Sequence, residues 1–270
     1  MSTLTIATLN TYLCRVFGFD LCPQPGRRAQ LIHDELQRID PDVVCLQEVW
    51  DSALAALVMR ALPAHEVIRY DTQCWYRPMG TGLMIASRLP VRRVSFQPIV
   101  STWRPKEILA QRGLLTTVLE STGTELAVTS THLGVGMGFM RRRQHRAFLT
   151  AIESFDGPHI VCGDFNVSTC ETERQRFPAL GTLSQIGFRD VVAEAYGPNA
   201  EAMVTVDRNN AMVRKDKHRR IDYIWVKSAA AAGWRVCDAN VIFNTSTDGV
   251  YPSDHYGVFA RLMFMPQMGH

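Results

Sequence analysis

Short apolar runs separated by polar, Gly- and Pro-containing segments make up most of this chain. Leu4 to Leu9 is apolar on both faces, which predicts a central strand ending at Asn10. Val43-Val44-Cys45-Leu46 and Ile160-Val161-Cys162 read in the same way as buried strands. Gln47-Glu48 follows the first, and Gly163-Asp164-Phe165-Asn166 follows the second. Further strands are predicted over 66–70, 83–86, 91–99 (an edge strand), 220–226, 234–243 and 258–263. Leu114 to Leu119 and Leu126 to Thr131 flank Ser121-Thr122-Gly123-Thr124 as a hairpin, whose second strand delivers Thr131-His132-Leu133. Helices are predicted over 27–39, with Leu31, Ile32, Leu36 and Ile39 on one side, and over 52–61, 139–155 and 171–186. Residues 204–220 read as a mobile basic loop, and 229–232 as a turn or short helical piece.

The 270 residues carry no repeat, low-complexity tract or linker, so one domain over 1–270 is expected. Apolar residues at 46% and charged residues at 20% suit a soluble protein with a sizeable core. A net charge of +3 is too small to specify a partner, but its distribution is uneven. Arg141, Arg142, Arg143 and Arg146 form one cluster, and Arg214, Lys215, Lys217, Arg219 and Arg220 another. Each can attract phosphate or an anionic surface, and each reads equally well as a solvated face.

Seven cysteines without CxxC spacing give neither a zinc pattern nor a disulfide framework. Met1 to Ile6 has no basic region or long apolar segment, and nothing reaches the length of a membrane span. The expectation is a reduced, cytoplasmic chain. Two apolar loops stand out: 12–21, with Tyr12, Leu13, Val16, Phe17, Phe19 and Leu21, and 134–140, which runs into the arginine cluster. The first is expected to tuck onto the core rather than meet an apolar ligand.

Asp164 and Asn166 are two residues apart, and in extended backbone they point the same way. An acid that orients a water, beside an amide that donates to an anionic oxygen, suits hydrolysis of a phosphate ester. The other reading of this pair is an Asx-type turn. Asn10, Glu48, His132, Asp222, Asp254 and His255 also sit in or at the ends of apolar runs. Each alone reads as a structural strand-end residue, but strand ends on one edge of a core converge. Asp222, on a largely apolar strand, needs a partner.

Six segments together resemble the endonuclease/exonuclease/phosphatase superfamily: Thr8-Leu9-Asn10, Leu46-Gln47-Glu48-Val49-Trp50, Ser130-Thr131-His132-Leu133, Gly163-Asp164-Phe165-Asn166, Arg220-Ile221-Asp222-Tyr223 and Ser253-Asp254-His255. They follow the family's order and cover nearly the whole chain. The resemblance implies an α/β fold, a four-layered sandwich of two packed mixed sheets with helices outside. It implies Glu48 as the principal ligand of Mg²⁺, or of Mn²⁺ in its place, with Asn10 nearby and Asp254 reaching the metal directly or through water. Asn166 and His132 are expected to contact the substrate phosphate, with Arg112 beside them, and Asp164 to orient or deprotonate water. Asp222 is expected to fix the tautomer of His255 and raise its pKa. Whether Asp164 or His255 removes the proton is left open. The working assignment makes His255 with Asp222 the acid–base unit and Asp164 the water-positioning group.

The motifs define a reaction and leave the substrate open. Their spelling is closest to the neutral sphingomyelinase-like branch. The loops 12–21 and 134–146 bring apolar and basic groups together, as peripheral contact with a membrane surface requires. No long aromatic hairpin like that of secreted sphingomyelinases is identified. A nuclease is the alternative, using the basic clusters for a phosphate backbone and Trp75, Tyr76 and Trp103 for stacking. An inositol-phosphate phosphatase is a third reading, and a non-enzymatic binding module a fourth, disfavoured because every motif residue is present.

Overall fold

The fold is described from a computed structural model, in residues 3–16, 18–70, 79–99, 109–121, 123–135, 138–168, 179–228 and 232–266. The strands are β1 (Thr3–Leu13), β2 (Arg15–Val16), β3 (Phe19–Asp20), β4 (Val43–Val49), β5 (Glu66–Arg69), β6 (Met84–Ser87), β7 (Val91–Pro98), β8 (Gly113–Ser121), β9 (Thr124–His132), β10 (His159–Asp164), β11 (Phe188–Asp190), β12 (Asp222–Lys227), β13 (Ala232–Ile242) and β14 (Gly257–Pro266). The helices are α1 (Pro25–Ile39), α2 (Ser52–Met59), α3 (Phe139–Glu153), α4 (Ala179–Gln185) and α5 (Val191–Tyr196), and α5 runs into a 3₁₀ turn at Gly197–Ala202.

Two six-stranded sheets form, in the orders β13-β14-β1-β4-β6-β5 and β11-β12-β10-β9-β8-β7. In each, one central pair is parallel, β1 with β4 and β10 with β9, and every other neighbour is antiparallel. The apolar-on-both-faces pattern of β1 has a direct cause. Leu4 and Ile6 enter the core between the sheets with Cys45, Val128, Ile160 and Cys162. Ala7 and Leu9 face the other way, onto α1 and α2 through Ile32, Leu36 and Leu54. On the outside of the second sheet, Val161 and Tyr223 pack against Phe148 and Ile152 of α3 and Leu180 and Leu183 of α4. These are the four layers of the expected α/β sandwich.

Several expectations need correction. β1 does not end at Asn10 but continues to Leu13, with a register shift against β4 between these residues. The loop at 12–21 is not simply folded onto the core. Leu13, Cys14 and Cys22 are buried, while Phe19 and Leu21, on and beside the small β2–β3 hairpin, are 73% and 57% exposed. Residues 204–220 are anchored rather than loose. Val206 and Arg219 bridge, and the buried Asn210 donates through Nδ2 to Ser253 O at 2.8 Å. The first half of the 171–186 helix, 229–231, Phe17, Trp75, Tyr76 and Trp103 lie outside the described residues.

Candidate active site

The carboxyl ends of both parallel pairs open on the same side, and the sheet register decides which side chains meet there. In the second sheet Asp164 pairs with His132 of β9 on one side and with Asp222 of β12 on the other. Gly163 makes this approach possible. At φ +130° it has no Cβ, and a Cβ there would lie 2.0 Å from Thr131 O. In the first sheet Asn10 pairs with Gln47. Gln47 points into the inter-sheet core, where its Nε2 donates to Thr8 Oγ1 and across to Ser130 Oγ of the second sheet. Strict alternation would turn Glu48 away from this side. Its left-handed backbone, φ 57°, instead brings the carboxylate back into the cleft, beside Asn10.

Asp164 is the hub. Its Oδ2 accepts from Asn10 Nδ2 and from Asn166 Nδ2, each at 3.1 Å. His132 Nε2 is 3.3 Å from the same oxygen and 3.7 Å from Glu48 Oε1. His255 Nε2 lies 4.0 Å from it. Asn10 Nδ2 also reaches Glu48 Oε1 at 3.3 Å, so one amide joins the two carboxylates. Asp164 and Asn166 do meet, but not by strand alternation. Asn166 has a left-handed φ of 53° and its N–H donates to Asp164 Oδ1 at 2.8 Å, which is the Asx turn. Its amide donates to Leu133 O as well, so both amide hydrogens are engaged within the protein.

His255 Nδ1 donates to Asp222 Oδ2 at 2.9 Å, giving the buried carboxylate the partner it needs. Asp222 is held in turn by Thr205 Oγ1, which accepts from the N–H groups of Ile221 and Asp222. Thr205 O accepts from Tyr256 N at 2.6 Å, so one buried threonine fixes both flanks of the pair. Ser253 Oγ donates to Asn10 O at 2.6 Å and ties the turn carrying Asp254 and His255 to β1. The buried Arg141 donates to Asn166 O, so one of the arginine cluster is part of this framework while Arg142, Arg143 and Arg146 are exposed.

Burial pushes the Asp164 carboxyl up to about 7, Asp222's charge adds to the rise, and His255 opposes it. Burial lowers the His255 imidazole, but Asp222, Asp164 and Asp254 together hold it well above its ordinary range. His132 is pushed well below that range by burial, with Arg112 and His255 adding to the effect, so the ring is neutral despite its carboxylate neighbours. Glu48 is raised by burial and by the charge of Asp254, while Arg112 and His255 work against the rise. Of the nine residues expected from sequence, Asn10, Glu48, His132, Asp164, Asn166, Asp222 and His255 are joined by these contacts, and Arg112 and Asp254 lie near enough for their charges to act on Glu48. Thr205, Asn210 and Arg141 support this site without a local motif that marks them, and Ser253, first residue of the Ser253-Asp254-His255 segment, ties that turn to β1.

A family model described as the Endonuclease/Exonuclease/phosphatase family matches residues 7–255, a span that includes twelve of the fourteen strands whole and the second half of β1. The chain belongs to that family. Over 183 residues it is 27% identical to sphingomyelin phosphodiesterase 5 of Mus musculus, covering 57% of this chain and 37% of that protein. Over 174 residues it is 27% identical to nocturnin of Drosophila melanogaster, covering 57% of this chain and 26% of that one. The chain thus spans less than two-fifths of the length of these curated relatives. Among solved structures it resembles D. rerio TDP2 complexed with single strand DNA product, with a TM-score of 0.75 at 21% identity over 97% of this chain and 100% of that one. Beta toxin from Staphylococcus aureus gives 0.70 at 18% identity over 95% and 99%. At these identities the structural likeness speaks for the fold.

Proposed function

We propose that this chain is a divalent-metal-dependent phosphodiesterase acting on a phospholipid of the sphingomyelin type. The single observation that carries the chemistry is the position of Asp164, shared by Asn10, Asn166 and His132 and 4.0 Å from a histidine paired with a second buried carboxylate. A carboxylate with a pKa near neutrality is suited to take a proton from water at neutral pH. His255, held charged by Asp222, is suited to donate Nε2–H to a phosphate oxygen on the same side. This moves the base role of the sequence assignment from His255 to Asp164. His132, neutral and donating from Nε2, orients Asp164, and Arg112 places a positive charge near Glu48 and His132.

The donor set fits a hard cation. Glu48 and Asp254 offer only oxygen, with the Asn10 amide beside Glu48, and the mutual repulsion of the two carboxylates is the strain that a dication relieves. Asp164, Asp222 and His255 also stand close enough to form a metal-binding group. Their mixed oxygen and nitrogen atoms are engaged with one another, which favours the proton-handling role. Mg²⁺ held by Glu48, with Asn10 and Asp254, would supply charge neutralisation at the phosphate.

The support for a lipid substrate is two exposed apolar segments. Phe19 and Leu21 on one segment, and Val135 and the 75%-exposed Phe139 on another, follow Asn10 and His132 in the chain, and exposed arginines follow Phe139. Apolar side chains backed by cations suit an anionic lipid surface. No helix among the described residues is long and apolar enough to cross a membrane, so the contact proposed is peripheral. We place it on the cytoplasmic side, with the thiols of Cys45 and Cys162 reduced. The second reading is a nuclease, favoured by the same exposed arginines and by the likeness to a protein solved with a DNA product. Sphingomyelin vesicles, single-stranded DNA and duplex DNA, offered with Mg²⁺ and with chelator, decide between them. Metal-dependent release of the head group from vesicles, with DNA intact, supports the lipid reading, and the reverse result moves the chain to the nuclease reading.

A further inference from the structure

Arg28 lies within α1, is fully buried, and has no ion-pair partner among the described residues. Its guanidinium is satisfied by main-chain oxygens instead. Nη2 donates to Thr11 O at 2.5 Å, Nη1 to Tyr12 O at 3.0 Å and to Pro23 O at 3.4 Å, and Nε to Pro252 O at 3.1 Å. The guanidinium carbon also lies 5.2 Å from the centre of the Tyr12 ring. A buried charge without a counter-ion is costly unless every donor is well placed, and packing alone is served better by an apolar side chain of similar volume. The placement of its partners gives the charge a purpose.

Thr11 and Tyr12 directly follow Asn10, and Tyr12 sits at a left-handed φ of 49°. Thr11 Oγ1 donates to Gln47 O at 2.9 Å and reaches Glu48 O at 3.2 Å, so it also fixes the backbone that carries Glu48. Pro252 directly precedes Ser253, Asp254 and His255. One planar fork therefore spans two segments more than 200 positions apart, one carrying Asn10 and bonded to Glu48, the other carrying Asp254 and His255.

We propose that Arg28 is a positioning residue that locks the strand end bearing Asn10 and Glu48 to the turn bearing Asp254 and His255. It touches neither substrate nor metal. The inference rests on the phosphodiesterase reading for its catalytic consequence, but its geometric content stands without it.

The test compares Arg28→Met and Arg28→Lys with Arg38→Met, which removes an exposed arginine on the same helix paired with Glu35. Mn²⁺ affinity is measured without substrate by electron paramagnetic resonance, and kcat and KM are measured per folded molecule. Arg28→Met is expected to weaken Mn²⁺ binding about 10-fold, as loss of a group supporting metal ligands does. It is expected to lower kcat about 100-fold through misplacement of reacting groups, with KM much less affected. Arg28→Lys, able to reach some of the carbonyls, recovers part of both, and Arg38→Met behaves as wild type. If Arg28→Met does not fold, Arg28→Lys carries the test. A folded Arg28 variant with lowered thermal stability but wild-type Mn²⁺ affinity and kcat overturns the proposal. Wild-type protein that binds Mn²⁺ yet hydrolyses no phosphodiester overturns the functional reading alone, and the Mn²⁺ comparison still judges Arg28.

Discussion

Asn10 Nδ2 on β1 and Asp164 Oδ2 on β10 are 3.1 Å apart, and this hydrogen bond crosses from one sheet of the sandwich to the other. It joins the side of the cleft that carries Glu48 to the side that carries Asp222 and His255. It also favours the ionised form of Asp164 against the burial that opposes it. Asn10→Ala is expected to move the acid limb of the pH–rate profile to higher pH by about one unit, the equivalent of one charge-assisted hydrogen bond. An unmoved acid limb would separate Asn10 from the ionisation of Asp164.

The proposed role of His255 as proton donor predicts that the alkaline limb of the profile follows its ionisation. Asp222 is foremost among the groups that raise its pKa, by charge and by a hydrogen bond to Nδ1. Asp222→Asn is expected to shift the alkaline limb of kcat/KM to lower pH and to reduce activity at neutral pH at least about 10-fold, since an ionised orienting partner is lost. A variant with lower activity but an unshifted profile would assign that limb to another group.

Stability has its own pH dependence. Asp164 keeps its proton to about pH 7 when folded, against an ordinary value of 3.8, so its favourable contribution is complete below 3.8 and falls away from there until it is lost at about 7. The raised His255 acts in the same direction, its contribution present below 6.5 and lost as pH climbs through its elevated value. His145 and His159, both lowered to about 3 by burial, act oppositely and have made their full contribution by pH 6.5. With the Asp164 contribution lost by about pH 7, His255 is expected to lower the Tm of the metal-free protein as pH rises further. Asp164→Asn removes one of the charges that raise His255, so it should reduce that decline and melt higher than wild type at about pH 8, by roughly 2–4 °C for each kcal/mol of burial strain removed. Differential scanning calorimetry across this window checks the sign, and a wild-type Tm that rises with pH there contradicts it.

How much of this site was legible in the sequence follows from where each residue's partners lie. Asn10, Glu48, His132, Asp164, Asp222 and His255 stand out because a polar group at the end of an apolar run must be accounted for. Arg28 does not stand out, because its partners at Tyr12 and Pro252 are brought together only by the fold. Thr205 and Asn210 lie in a polar stretch that reads as loop, and only the contacts to Asp222, Tyr256 and Ser253 reveal their work. Arg141 is indistinguishable from its exposed neighbours until α3 is placed against Asn166. Strands buried on both faces were legible locally, but it was the family resemblance that implied the four-layered sandwich, and the left-handed turns at Glu48 and Asn166 depend on tertiary contacts that local spacing does not encode.

The two exposed apolar segments should separate surface recognition from chemistry. Phe19→Ser combined with Phe139→Ser removes two exposed apolar side chains that are not among the cleft residues. If the proposed contact buries both in lipid, at about 1.5–3 kcal/mol each, their loss is expected to weaken vesicle binding at least about 10-fold. Turnover of a soluble aryl phosphodiester should be unchanged. Equal loss on both substrates would assign these residues to folding instead.

The central claim is that a metal held at Glu48 drives hydrolysis of a phosphodiester. The most direct test is the turnover of a soluble aryl phosphodiester by wild type and Glu48→Gln, each titrated with Mg²⁺ and then with chelator. Wild-type turnover is expected to depend on the metal and to be abolished by chelator, and Glu48→Gln is expected to fold, to melt no lower than wild type and to be slower by at least about 100-fold. Wild-type activity that persists in chelator, or a Glu48→Gln enzyme with normal turnover at the same Mg²⁺ concentration, would contradict it.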